Sequence, residues 1–139
     1  MPERVVFDTN VMISGLLWRG KPYQCLLLAR ARLVQAVYCR EMLTELSQKL
    51  EDKFSFSASR IQDVLHDWRQ HALEVQITGG LHAVDADPDD DKFIECAQVA
   101  GAKVIVSGDQ HLLNLGQYEN IVILGPAEFL ARFTENSFH

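Results

Sequence analysis

The chain alternates short, continuously apolar runs with longer stretches in which apolar residues recur every three or four positions. Val5 to Phe7 form the first run, which ends abruptly at Asp8, Thr9 and Asn10 before apolar residues resume. "GKPYQCLLLARARL" then predicts a helix with Pro22 near its start, where a missing N–H costs nothing. "VQAVYC", residues 34–39, predicts a strand. In "REMLTELSQKL", Leu43, Leu46 and Leu50 fall on one helical face, with Glu45 on its flank. In "SASRIQDVLHDWRQHALEV", Ser59 stands near the start with Gln62 three residues on, a capping-box spacing, and Ile61, Leu65 and Trp68 keep helical period. Beyond "ITGG" comes an acidic window, then "KFIECAQVAG", a helix for which Gly101 predicts the C-terminal cap. "AKVIVSGD" predicts a strand closing on Asp109, "IVIL" a last strand, and "PAEFLARF" a last helix with Pro126 in its first turn.

Short apolar strands alternating with helices predict an α/β fold, a three-layer α/β/α sandwich around a parallel sheet covered on both faces. In such sheets ligands bind beyond the carboxyl ends of the strands. Asp8 after the first strand and Asp109 after a later one therefore project toward the same crevice. The 139 residues suit a single domain, 1–139, burying about 68% of the unfolded chain's surface, with residues 134–139 expected as a flexible tail.

Composition adds restrictions. Apolar residues make up 47% and charged residues 23%, ordinary for a globular domain. No apolar run approaches a signal sequence or a membrane span, so a cytoplasmic protein without membrane contact is expected. Cys25, Cys39 and Cys96 are odd in number and form no C-x-x-C pair, which predicts buried, reduced thiols rather than disulfides or a zinc site. The net charge of −6 argues on its own against a polyanionic partner. Five of the 19 acidic residues, however, lie in "DADPDDD", residues 85–91, and a bound divalent cation would reverse the local sign.

Carboxylates at two strand ends, one from the acidic window and one from a helix (Glu41 or Glu45) would repel one another and raise each other's pKa unless a cation joined them. Hard oxygen donors without nearby His or Cys favour Mg²⁺ or Mn²⁺ over zinc. Asn10 and Ser107 are short neutral groups able to hydrogen-bond a carboxylate or a bound water. Each of these residues also has a plainer reading: Asp8 as a turn or cap residue, Glu45 as part of a solvated helix face, Asp85, Asp87 and Asp89 as loop and N-cap residues, Asp109 as the cap of "QHLLNL". Trp18, Arg19, Lys21 and Tyr23 interleave aromatic and basic groups that could hold RNA, with Arg30 and Arg32 in the same class, though such residues more often pack at an edge. His66 and His71, five apart, read as surface residues.

Four blocks, "VVFDTNVMISGLL", "EMLTELSQKL", "DPDDDKFIECAQVAGAKVIVSGDQHLL" and "VILGPAEFL", together resemble the PIN-domain family, in particular its VapC-like toxins of toxin–antitoxin pairs. The resemblance spans nearly the whole chain in order. It implies a Rossmann-like fold, Mg²⁺- or Mn²⁺-dependent endoribonuclease activity, a homodimer and a cognate antitoxin. The family's acidic positions fall on Asp8, Glu45, Asp91 and Asp109, and its small polar helper on Ser107; Asp91 is preferred in its cluster because it stands one turn before Ile94, with Asp90 next. A haloacid-dehalogenase-like phosphatase would need a second Asp where Asn10 stands, and a response-regulator receiver an Asp after the third strand. A non-catalytic RNA- or protein-binding module on the PIN fold is the alternative.

Overall fold

The computed structural model describes residues 2–82 and 88–137, with side chains to residue 133. Strand β1 (Glu3–Phe7) places Val5, Val6 and Phe7 in full burial at the centre of the sheet, which is why that run is apolar without alternation. It is followed directly by α1 (Thr9–Leu17) and α2 (Lys21–Arg30), then β2 (Val34–Tyr38), α3 (Arg40–Phe54), α4 (Ala58–His71) and β3 (Leu73–Glu74). A 3-10 turn, Pro88–Asp90, leads into α5 (Asp91–Ala100), then β4 (Val104–Val106), α6 (Gln110–Leu115), β5 (Gln117–Tyr118), β6 (Ile121–Leu124) and α7 (Pro126–Ser137). Helical backbone thus continues into the stretch where the sequence suggested a tail.

The sheet order is β3-β2-β1-β4-β6-β5, parallel except for the antiparallel edge pair β5–β6. Chain order reverses between β1 and β4, so the crevice beyond their carboxyl ends is a topological switch point. Helices cover the sheet: α5 packs on β1, β2 and β4, α2 on β2 and α7, and Phe129 of α7 meets Phe7 edge-on at 6.4 Å. This is the three-layer arrangement the alternating pattern predicts.

The structure revises some local expectations. Helix α4 is capped by Ser57, whose Oγ accepts the Arg60 N–H at 3.2 Å, and not by Ser59, which lies inside the helix; the true cap has Arg60 at its third position, so no capping box forms. Helix α1 gave no amphipathic signal because it buries Thr9, Val11, Met12, Ile13 and Gly15 on several sides. A Cβ on Gly15 would collide with the Leu26 side chain, so the glycine makes room for Leu26 where α1 packs on α2. Gly101 caps α5 with φ +70°, as its position predicts. The three cysteines are buried free thiols.

Buried Glu95 on α5 fastens the segment after β3. Its carboxylate accepts the Thr78 N–H at 2.6 Å, the Thr78 hydroxyl at 2.8 Å and the Gly79 N–H at 3.0 Å. Burial pushes its pKa up, but these bonds outweigh that and hold it below the usual value. On another side, α1, α2 and α4 enclose an apolar groove of about 350 Å³ lined by Met12, Leu16, Leu26, Leu27, Val64 and Trp68. Its edge carries Arg30, ion-paired to Asp67, which His71 also approaches. Among the described residues no helix is long and apolar enough to cross a membrane.

Candidate active site

Asp8 leaves β1 as the N-cap of α1 and is 1% exposed. Its Oδ1 accepts the Val11 N–H at 2.8 Å, and its Oδ2 accepts the Ser107 hydroxyl at 2.5 Å and the Gly108 N–H at 3.1 Å. The cap reading and the site reading of Asp8 are therefore one geometry: the carboxylate that starts α1 is bound by the loop after β4. Burial drives its pKa up, partly offset by the bonds from Ser107, Val11 and Gly108, and the nearby Asp109 charge raises it further. Ser107, fully buried, also accepts the Asp109 N–H at 2.9 Å, so one hydroxyl joins both strand-end loops.

Asp109 caps α6, accepting the His111 N–H at 3.1 Å. A side-chain hydrogen bond with Asp90 does most to hold its pKa low, helped against burial by the His111 N–H and the charges of His111 and Lys49. Glu45 reaches the same place from α3. Its burial raises its pKa, but the bonds from Lys92 and Thr9 and the charges of Lys92 and Lys49 together keep it low. Lys92 Nζ stands 2.5 Å from Glu45 Oε2, and Lys49 Nζ stands 3.5 Å from Oε1. The Thr9 hydroxyl, though beside Glu45, is buried without a hydrogen-bond partner of ordinary geometry.

Asp8, Thr9, Glu45, Asp90 and Asp109 line one cavity of about 130 Å³ together with Asn10, Lys49, Asp89 and Phe93. Asp90, not Asp91, is on its wall: the 3-10 turn places Asp90 toward the cavity, whereas buried Asp91 begins α5 and lies outside the lining. Asp90 and Asp91 thus stand side by side at the start of α5, and Asp85 and Asp87 lie outside the described residues. Arg19 and Lys21 are exposed and do not line the cavity. Helix α1 starts at the site and carries the chain about 14 Å away before Arg19 is reached. Arg19 instead lies over the Tyr23 ring at 5.4 Å, while Arg30 belongs to the groove.

The PIN-domain family profile matches residues 4–111, from β1 into α6. The chain belongs to the PIN-domain family. As a PIN domain it superposes on a chain of VapBC2 from Rickettsia felis, solved bound to a DNA fragment from its promoter. The TM-score is 0.61 with 14% identity, covering 88% of this chain and 98% of that one. It also superposes on the RRP44 PIN domain of T. brucei with a TM-score of 0.53 and 16% identity, covering 99% and 84%. These likenesses are of fold. No curated protein matches the sequence.

The donors of this PIN domain fit a hard divalent cation in kind: Asp8, Glu45, Asp90 and Asp109 offer oxygens only, and no His or Cys lines the cavity among the described residues. As they stand, no three of them converge tightly enough to grip one ion among the described residues. Each is turned onto another partner: Asp8 onto Ser107, Asp90 and Asp109 onto each other, Glu45 onto lysines. Like charges crowded in one cavity are in this way each met by a hydroxyl, a neighbouring carboxyl or an ammonium group. Lys49 and Lys92 were missed from sequence, although Lys49 follows Glu45 at the i,i+4 spacing of a helical ion pair. Lys92 left no signal beyond its place after the aspartates.

Proposed function

We propose that this PIN domain is a divalent-cation-dependent endoribonuclease, the toxin component of a toxin–antitoxin pair. The observation that carries the reading is the meeting of Asp8, Glu45, Asp90 and Asp109, from four separate elements, on one cavity wall beyond the strand ends. In this reading Asp8, Glu45, Asp109 and a carboxylate of the Asp90–Asp91 pair hold Mg²⁺ or Mn²⁺, which when bound supplies a water of lowered pKa and neutralises charge developing on the scissile phosphate. Ser107 keeps Asp8 in place and fixes the Asp109 loop, so that two ligands share one anchor. Asn10, exposed at the cavity, offers its amide to a sugar or phosphate oxygen.

The antitoxin reading draws on the VapBC2 likeness and on the apolar groove, whose Leu16 and Leu27 are 43% and 41% exposed and suit the apolar face of a partner helix. The stripe of α4 noted in the sequence contributes Val64 and Trp68 to that groove, while Ile61 and Leu65 face the core. A homodimer and a cytoplasmic location complete the proposal. A second reading, a non-catalytic RNA- or protein-binding module, is favoured by the lysines already seated on Glu45.

The test is incubation of purified protein, free of partner, with a structured RNA pool in Mg²⁺ or Mn²⁺ and then in EDTA, alongside Asp8→Asn. Cleavage that needs the metal and vanishes in the variant supports the nuclease. Intact RNA with metal bound by calorimetry moves the assignment to the non-catalytic module.

A further inference from the structure

A polyanion approaching a wall of carboxylates, on a chain of net charge −6, needs a positive group at the cavity itself. Among the described residues lining that cavity the basic one is Lys49. It stands one turn along α3 from Glu45, its side chain 31% exposed, with Nζ 3.5 Å from Glu45 Oε1. Lys92 is placed differently. It lies outside the lining, its side chain is 15% exposed, and its ammonium is held at 2.5 Å by both Glu45 Oε2 and the Asp89 carbonyl, over the Phe93 ring at 4.7 Å.

The two lysines thus divide the carboxylate. Lys92 answers the Glu45 charge from behind and has three contacts that fix it. Lys49 faces the cavity with one longer ion pair, and half-exposed pairs of that length contribute little. Its four-carbon stem is flexible, and an ammonium is a point charge that needs no fixed approach to a phosphate oxygen.

We propose that Lys49 is a substrate-binding residue, whose ammonium passes from Glu45 Oε1 to a backbone phosphate of RNA at the cavity mouth and thereby uncovers that oxygen. The inference rests on the nuclease reading and adds the residue that admits the substrate.

The test measures binding of a fluorescent structured RNA in EDTA as KCl is raised, for wild type, Lys49→Met, Lys49→Arg and, as a control on the same helix, exposed Lys53→Met. Thermal unfolding of each variant reports the fold. Lys49→Met should bind roughly 3-fold more weakly at low salt. The slope of log affinity against log salt should fall by about 0.7 to 0.9, one phosphate contact. Lys49→Arg should restore the slope, and Lys53→Met should leave it unchanged. A folded Lys49→Met protein with wild-type affinity and slope overturns the proposal and leaves the nuclease reading standing, as does an equal loss in Lys53→Met. A wild-type protein that neither binds nor cleaves the RNA overturns both.

Discussion

Replacing Asp8 by Asn separates the two tasks that one carboxylate performs. Asn keeps the size and one oxygen, so the Val11 N–H that starts α1 can retain its acceptor. On the other side an amide NH₂ would face the Gly108 N–H, while Ser107 Oγ can still accept from it. The loss is therefore one buried backbone donor, about 1 to 3 kcal/mol. Against it stands relief from ionising a carboxyl in a desolvated place, where burial has raised the pKa above 3.8. The sign follows from linkage: a raised carboxyl contributes stability that is complete below its ordinary pKa and is lost as pH rises through the folded value. Wild type loses that stability and the variant does not, so the variant should be the less stable in acid and should close the gap, or reverse it, toward neutral pH. A divalent cation acts oppositely. At about 100 times its Kd it would stabilise wild type by about 2.7 kcal/mol, on the order of 10 °C in Tm, and this shift should vanish in the variant. Thermal unfolding across pH, with Mg²⁺ and with EDTA, reads both effects, and RNA cleavage reads the third. An Asp8→Asn protein that keeps the Mg²⁺ shift or full cleavage refutes the reasoning.

Further outcomes follow from other residues. Asp90→Asn and Asp91→Asn, in parallel assays with circular dichroism to report the fold, should differ in cleavage, and the variant that loses most of it identifies the ligand of the pair; equal, full cleavage by both would remove the acidic window from the site. Glu95→Gln should destabilise the protein by about 1 to 3 kcal/mol at neutral pH. Its lowered pKa contributes stability above 4.5 that is lost as pH falls through the folded value, so denaturant titrations of variant and wild type should converge in acid. Leu27→Glu should abolish capture of a co-expressed antitoxin while cleavage persists, because Leu27 lines the groove and not the acidic cavity. Pull-down and RNA assay on one preparation decide it.

How much was legible depended on what each residue meets. Strands β1, β2, β4 and β6 were readable because central parallel strands are apolar on both faces, a pattern set by local composition. The edge strands β3 and β5 have two residues each and exist through pairing with distant partners, which leaves no local trace. Asp8 and Asp109 were found because strand ends in this topology have a known direction, so position alone spoke for them. Asp90 and Asp91 were not separable from sequence, because the 3-10 turn that puts Asp90 among the cavity-lining residues leaves no local pattern. Ser107 was legible as a short polar group, but its two-sided role depends on loops about 100 residues apart in sequence.

The glycine between α1 and α2 carries a wider consequence. Met12, Gly15 and Leu16 from one helix and Leu26 and Leu27 from the other are walls of the same groove, and Gly15 is where those helices touch. A single methyl at that point would displace the Leu26 side chain, reshaping the groove through one of its half-buried wall residues. The acidic cavity, at the opposite end of α1, would keep its chemistry. The shape of the groove can therefore drift through one buried atom, independently of the acidic cavity.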